Sequence, residues 1–175
     1  MRIELRRRDP VGFNRRQWQH DRMSLKDWIS KYLPGAGQTP ADRGDVGTNL
    51  AVAALLVEVL RADYNVGPAE RQQVMNSVAT LLQLEPAATQ VLVEEAERQI
   101  DRSHDLYQFT SQINRSYSDA DKVRLLEALW RVADADSTIH KYEEHLIRRV
   151  ADLLHVPHSG FIAAKLRAMS TAPDG

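Results

Sequence analysis

The chain has 175 residues, 43% hydrophobic and 27% charged, with a formal net charge of −1 and no cysteine. That suffices for one cored domain, and it excludes disulfides, thiolate metal sites and cysteine nucleophiles. Residues 1–22 hold seven Arg against Glu4, Asp9 and Asp21, so the remaining body is acidic, at −5, which argues against nucleic acid as the main partner.

Residues 1–22 lack apolar periodicity and are expected to be a disordered basic lead-in. They would suit phosphate or an anionic membrane, or they are upstream sequence ahead of a start at Met23. Residues 23–34 place Leu25, Trp28, Ile29, Tyr32 and Leu33 on one face of a short amphipathic helix, capped by Ser24 and stopped by Pro34-Gly35. That helix docks on the domain's own surface, on a partner or on a membrane, so residues 1–33 offer a peripheral membrane contact. Residues 35–47, rich in Gly, read as a linker. The longest apolar run, "LAVAALLVEVL", is broken by Glu58 and is shorter than the ~20 residues of a membrane span. No apolar segment follows the early arginines as in a secretory signal, and a cytoplasmic location is expected.

Residues 48–170 read as an all-α domain of seven helices. The first spans about Thr48 to Ala62, and the second opens at Gly67-Pro68 and runs to about Gln83. The third covers Pro86 to Asp101, and a shorter fourth follows Ser103, expected as its cap. The fifth starts at Ser118, where Asp121 three residues on completes a capping box. The sixth runs from His140 to about His155, with Leu146, Ile147, Val150, Leu153 and Leu154 as its apolar stripe. The seventh begins near Pro157. Helices one and five are apolar nearly all round and are expected at the centre, with Trp130 and Phe109 in the core.

The pattern repeats. Ala62-Asp63-Tyr64-Asn65-Val66 aligns with Ala135-Asp136-Ser137-Thr138-Ile139 at an offset of 73, which also pairs Glu70 with Glu143 and Val74 with Ile147. The later "LLQL" and "LLHV" fit an offset of 72, so one residue has slipped. Two helical halves related by a pseudo-twofold axis would each close the other's open hydrophobic face. At each helix–break–helix, an Asp and a Glu bracket the break. Placing Ile139 at the aliphatic position of an EF-hand loop puts Asp134, Asp136 and Glu143 on ligand positions, but Val132 falls where the first ligand belongs. In the first repeat only Asp63 and Glu70 remain. Neither break is an EF-hand; each offers part of a hard-cation shell. Three readings stay open: caps for the helix N-termini, a divalent-cation site, or an acidic face for a partner.

"RADYNVGPAER" and "ADADSTIHKYEEHLIRRVADLLHV" resemble the twice-written ADG-x-aliphatic-x-x-x-E motif of the tellurite-resistance TerB-like family, and "DLYQFTSQIN" and "FIAAKLRAM" resemble a bacterial branch of it. The similarity covers about residues 48–169. It implies an all-helical fold of about seven helices in pseudo-twofold halves, a bacterial source and a link to stress or tellurite resistance. It also implies a candidate metal set, Asp63, Glu70, Asp136 and Glu143, for a divalent cation such as Ca, Mg or Mn. Second choices are Glu58, Asp134 and Glu144. The related domain occurs fused to J-domain co-chaperones, which implies a protein partner. The chain departs from the motif where Tyr64 and Ser137 stand in place of glycine. If that glycine supplies a positive φ, its loss costs something like 1 kcal/mol or changes the turn.

The six His residues lack a zinc-site pattern, although His140 and Glu144 are four apart and His155 and His158 three apart. No phosphate loop, dinucleotide fingerprint or nucleophile elbow is present. The first reading is therefore a non-enzymatic interaction module in stress response. The alternatives are a divalent-cation-binding protein and, behind it, a metal-dependent hydrolase.

Overall fold

In the computed structural model of the chain the described residues are 46–62, 67–103, 105–135 and 137–170. The basic lead-in, the short helix at 23–34, almost all of the linker, Asp63 and Asp136 lie outside them. Among the described residues there are seven α-helices and no strand: α1 Val46–Arg61, α2 Pro68–Leu82, α3 Pro86–Arg102, α4 Leu106–Ser116, α5 Asp119–Ala133, α6 Lys141–Leu153 and α7 His158–Ser170. The first helix takes in the last two residues of the expected linker, a shift within the ordinary fraying of helix ends. Thr48 is fully buried inside that first turn, its Oγ1 3.0 Å from Ser116 Oγ on α4.

α1 is the hub. Ala51 to Val57, Val59 and Leu60 are all buried, and the helix packs against α2, α3, α4, α5 and α6. A helix apolar on every side must be surrounded, because each exposed Leu or Val would forgo about 1.5–3 kcal/mol of burial. α5 is the second centre, packed against α1, α2, α6 and α7. Its Leu125, Leu126, Ala128, Leu129, Trp130, Val132 and Ala133 are buried. Unlike α1 it keeps an open polar stripe through Arg124, Glu127 and Arg131, where Glu127 pairs with Arg131 and with Arg167 of α7.

The contacts repeat by halves. α1 carries α2 and α3 as α5 carries α6 and α7. α1 and α5 meet in the middle, α2 reaches across to α5, and α6 reaches across to α1. α4 has no counterpart and bridges α1 and α6, where Asn114 Nδ2 donates to the Leu153 carbonyl at 2.8 Å. The slipped residue is visible as well. Gln83 (φ 51°) and His155 (φ 59°), which are 72 apart, both take the left-handed conformation just after α2 and α6. The next N–H in each case donates five residues back, Leu84 to Ala79 O at 3.1 Å and Val156 to Ala151 O at 2.9 Å. Both are Schellman closures built on residues other than glycine.

Two local expectations differ. Ser103 does not cap the fourth helix: α3 runs on to Arg102, Ser103 closes it, and the cap is Asp105, whose carboxylate accepts the Tyr107 N–H at 2.9 Å. In α6 the buried row is Glu143, Ile147, Val150, Ala151 and Leu154, with Leu146 and Leu153 only half-buried at its margin. The Ser118–Asp121 capping box forms as expected.

Tyr117 caps the end of α4. Burial, and then the negative charge of Asp121, push its phenol up to about 12. The folded chain therefore holds the neutral phenol at a pH where the unfolded chain ionises it. Stability from this residue is whole below pH ~10 and falls as pH rises from 10 toward 12. The residue is only half-buried, so screening trims the loss to roughly 1–2 kcal/mol. Tyr117→Phe is expected to flatten that fall, read as the difference between urea midpoints on either side of pH 10.

Candidate functional site

The helix starts that follow the two breaks are built alike. In the first, Pro68 starts α2 and Glu70 is its third residue; Glu70 Oε2 accepts the Gly67 N–H at 2.8 Å. In the second, Lys141 starts α6 and Glu143 is its third residue; Glu143 Oε2 accepts the His140 N–H at 2.8 Å. This is the reciprocal half of a capping box, a charged acceptor on the backbone donor that precedes the helix. The carboxylates also lie in the first turn, where the helix dipole favours them. Glu143 is buried and heads the inward row of α6; Glu70 is half-buried above Val74 and Val78 of α2. The paired Glu residues thus point into the halves and shape the breaks.

The other candidates divide. Asp63 and Asp136 lie outside the described residues. Asp134 closes α5, and its carbonyl accepts the Ser137 N–H at 2.9 Å. Glu58 sits half-buried in the middle of α1. Glu144 is engaged elsewhere, with Lys165 of α7 at 3.2 Å and Arg148 at 3.6 Å. Among the described residues no group of three or more His, Asp or Glu could hold a metal ion. Glu70 and Glu143, each with one oxygen committed to a backbone N–H, do not by themselves make a hard-cation shell, which needs at least six oxygens.

The repeated break is also where comparison with known proteins becomes decisive, since the model of the tellurite resistance protein TerB matches residues 49–166, both units together. The chain belongs to the TerB family. No curated protein and no solved structure matches it. In the second break Ser137 stands where the motif writes glycine, and its φ is 62°, in the left-handed region that favours glycine. An L-residue in this region costs of order 1–2 kcal/mol, offset in part by glycine's larger entropy loss on folding. Ser137→Gly is therefore expected to stabilise this TerB-family chain by about 0.5–1 kcal/mol, measured by urea denaturation. An unchanged or lower midpoint would mean that the serine hydroxyl holds the turn.

Sequence reasoning missed a cluster where α5, α6 and α7 meet. Lys165 lies over the Trp130 ring at 4.5 Å, Arg148 over Phe161 at 4.7 Å, and Trp130 meets Phe161 edge-on at 5.4 Å. Glu144 joins both cations, so three helices are tied by one alternating network. The only advance signal is Phe161 with Lys165, and Glu144 with Arg148, each four residues apart on its own helix, which does not say that the two pairs meet or that Trp130 joins them. A groove of about 540 Å³ also opens between α5 and α7, floored by Val123, Val156, Pro157 and Gly160 and flanked by Arg124 and Arg167. Gly160 permits the close approach: a Cβ there would stand 2.9 Å from Val156 Cγ1. No helix of the described residues is long and apolar enough to cross a membrane.

Proposed function

We propose that this TerB-family chain is a non-enzymatic interaction module of a tellurite-resistance or stress response, with the paired Glu residues holding its breaks rather than reacting. The observation that carries this reading is the outward face of α7. Ile162, Leu166 and Met169 stand at i, i+4 and i+7 and are 37%, 60% and 36% exposed. Single exposed hydrophobics are ordinary, but a helical row of them on a helix whose main neighbour is α5 is a contact surface. A photoreactive residue at position 166 should crosslink a discrete species in the cell of origin. Ile162→Asp should abolish that product while the melting temperature holds. Loss of the product with no change of fold supports the module, and absence of any product counts against it.

The alternative is a divalent cation at the breaks, and it rests on the identical placement of Glu70 and Glu143 beside Asp63 and Asp136 in sequence. Chelator-treated protein scanned with Ca²⁺, Mg²⁺, Mn²⁺ and Zn²⁺ separates the two. A native-state ligand at 100 times its Kd adds about 2.7 kcal/mol. We expect no ion-specific rise. A rise that vanishes in Asp136→Ala/Glu143→Ala would replace the capping reading with the cation one.

A further inference from the structure

We infer that the outer face of α6 is a docking surface for an acidic helical segment of a partner protein. The inference rests on the interaction reading above and adds the face and its chemistry. Lys141, His145 and Arg149 stand at i, i+4 and i+8 of α6, and all three are exposed. Among the described residues none of them makes an ion pair; Asp152, the next acid along the helix, lies outside ion-pair distance of Arg149. Tyr142 lies beside this row and is 76% exposed.

The duplicated half supplies the control. Subtracting 73 carries Lys141, His145 and Arg149 onto Pro68, Gln72 and Asn76, and Tyr142 onto Ala69. On α2 that row is neutral, and Gln72 Nε2 donates to Asn76 Oδ1 at 3.0 Å. The same helix in the same fold therefore forms without cations or an aromatic there. Helix stability does not explain them either, because Lys141 is the first residue of α6, where the dipole disfavours positive charge. Elsewhere the cations are used. Arg61, Arg71, Arg98, Arg124, Arg131 and Lys165 all pair with carboxylates. Arg102 and Arg115, which have no pair among the described residues, occupy last turns, where the dipole favours them. The unpaired basic row is particular to α6.

Its spacing selects the partner. Four residues rise about 6 Å along a helix, so the row presents the Lys141 and Arg149 cations about 12 Å apart with the His145 imidazole between them. Carboxylates at every fourth position of a partner helix match that step. A flat anionic membrane or a nucleic-acid duplex would also bring a body of charge −5 against a polyanion. A partner one helix wide meets α6 alone.

The test uses the full chain labelled for NMR and a short alanine-based helical peptide with glutamate at every fourth position, at low salt. The amides of α6 should shift with the glutamate peptide and stay still with its glutamine counterpart. Lys141→Gln/His145→Gln/Arg149→Gln, which restores the neutral character of α2, should weaken binding by about tenfold or more while leaving the melting temperature unchanged. The charge reversal Arg149→Glu should weaken it alone. The inference is overturned if shifts fall only on residues 1–22, whose arginines attract any polyanion. It is equally overturned if the triple variant binds as well as the parent, or if phosphatidylserine vesicles or duplex DNA bind this face more tightly than the peptide. Crosslinks from position 166 that survive the triple variant alongside such a failure would remove this face and leave the module reading standing.

Discussion

Trp130→Ala is expected to cost about 3–5 kcal/mol, a fifth or more of the ~5–15 kcal/mol stability of a typical domain. The indole is fully buried on α5, the helix that joins the two halves. It packs edge-on against Phe161, and Lys165 caps its face, so truncation opens a cavity and removes the partner of a cation whose other contact is Glu144. The aromatic pair adds roughly 0.5–1.5 kcal/mol and the cation–π contact about 0.5–2 kcal/mol to the area term. Trp130→Phe should cost far less, about 1–2 kcal/mol, for a reason specific to this site. The indole Nε1 is buried with no hydrogen-bond partner, so losing it strands no acceptor. A double-mutant cycle with Lys165→Met isolates the cation–π contact. Urea denaturation followed by circular dichroism gives every value. If Trp130→Phe cost as much as Trp130→Ala, the indole nitrogen would have to be bonded in solution, and this account of the cluster would fail.

The fold was legible because its determinants are local. α1 is apolar all round, so its central place follows from burial alone, and Pro68 and the Ser118–Asp121 box mark helix starts by backbone chemistry. The offset of 73 made the two halves visible before any contact was known, and the residues that reach across it, α2 to α5 and α6 to α1, follow from closing two open faces. Ser103 misled because serine serves either end of a break, and the choice turned on how far α3 continued. Gln83 and His155 gave no warning of their left-handed backbone, since neither is the glycine or asparagine that usually signals it. Glu144 looked like a spare ligand beside Glu143. One residue of helical rotation, about 100°, carries it to the other side of α6, where Lys165, twenty-one residues away, takes it up. Of the candidate site, the equivalence of Glu70 and Glu143 was readable. Their inward direction was not, because it depends on which face of each helix the opposite half covers.

That inward direction sets the second large effect. Glu143→Ala is expected to cost about 2–3 kcal/mol and Glu70→Ala about 1–1.5 kcal/mol, although both carboxylates accept a backbone N–H at 2.8 Å. A charged hydrogen bond contributes roughly 1.5–3 kcal/mol, most where water cannot replace the lost acceptor. Glu143 is 6% exposed and packs in the row with Ile147 and Val150, so alanine there removes a cap, a favourable dipole charge and packing volume together. Glu70 is half-buried, so alanine there gives up less packing and a better-screened charge. Glutamine keeps the accepting oxygen and loses only the charge, so Glu143→Gln should recover about half of the alanine loss. The losses at the two breaks should also add, because the carboxylates serve separate helices and share no donor. Urea midpoints of the two single variants and the double variant decide this. A double variant much more damaging than the sum would show that the two carboxylates repel across the halves, since each single variant would already have relieved that repulsion. That is the behaviour of a cation site stripped of its ion, and the capping account of the repeated motif would then give way to the cation account.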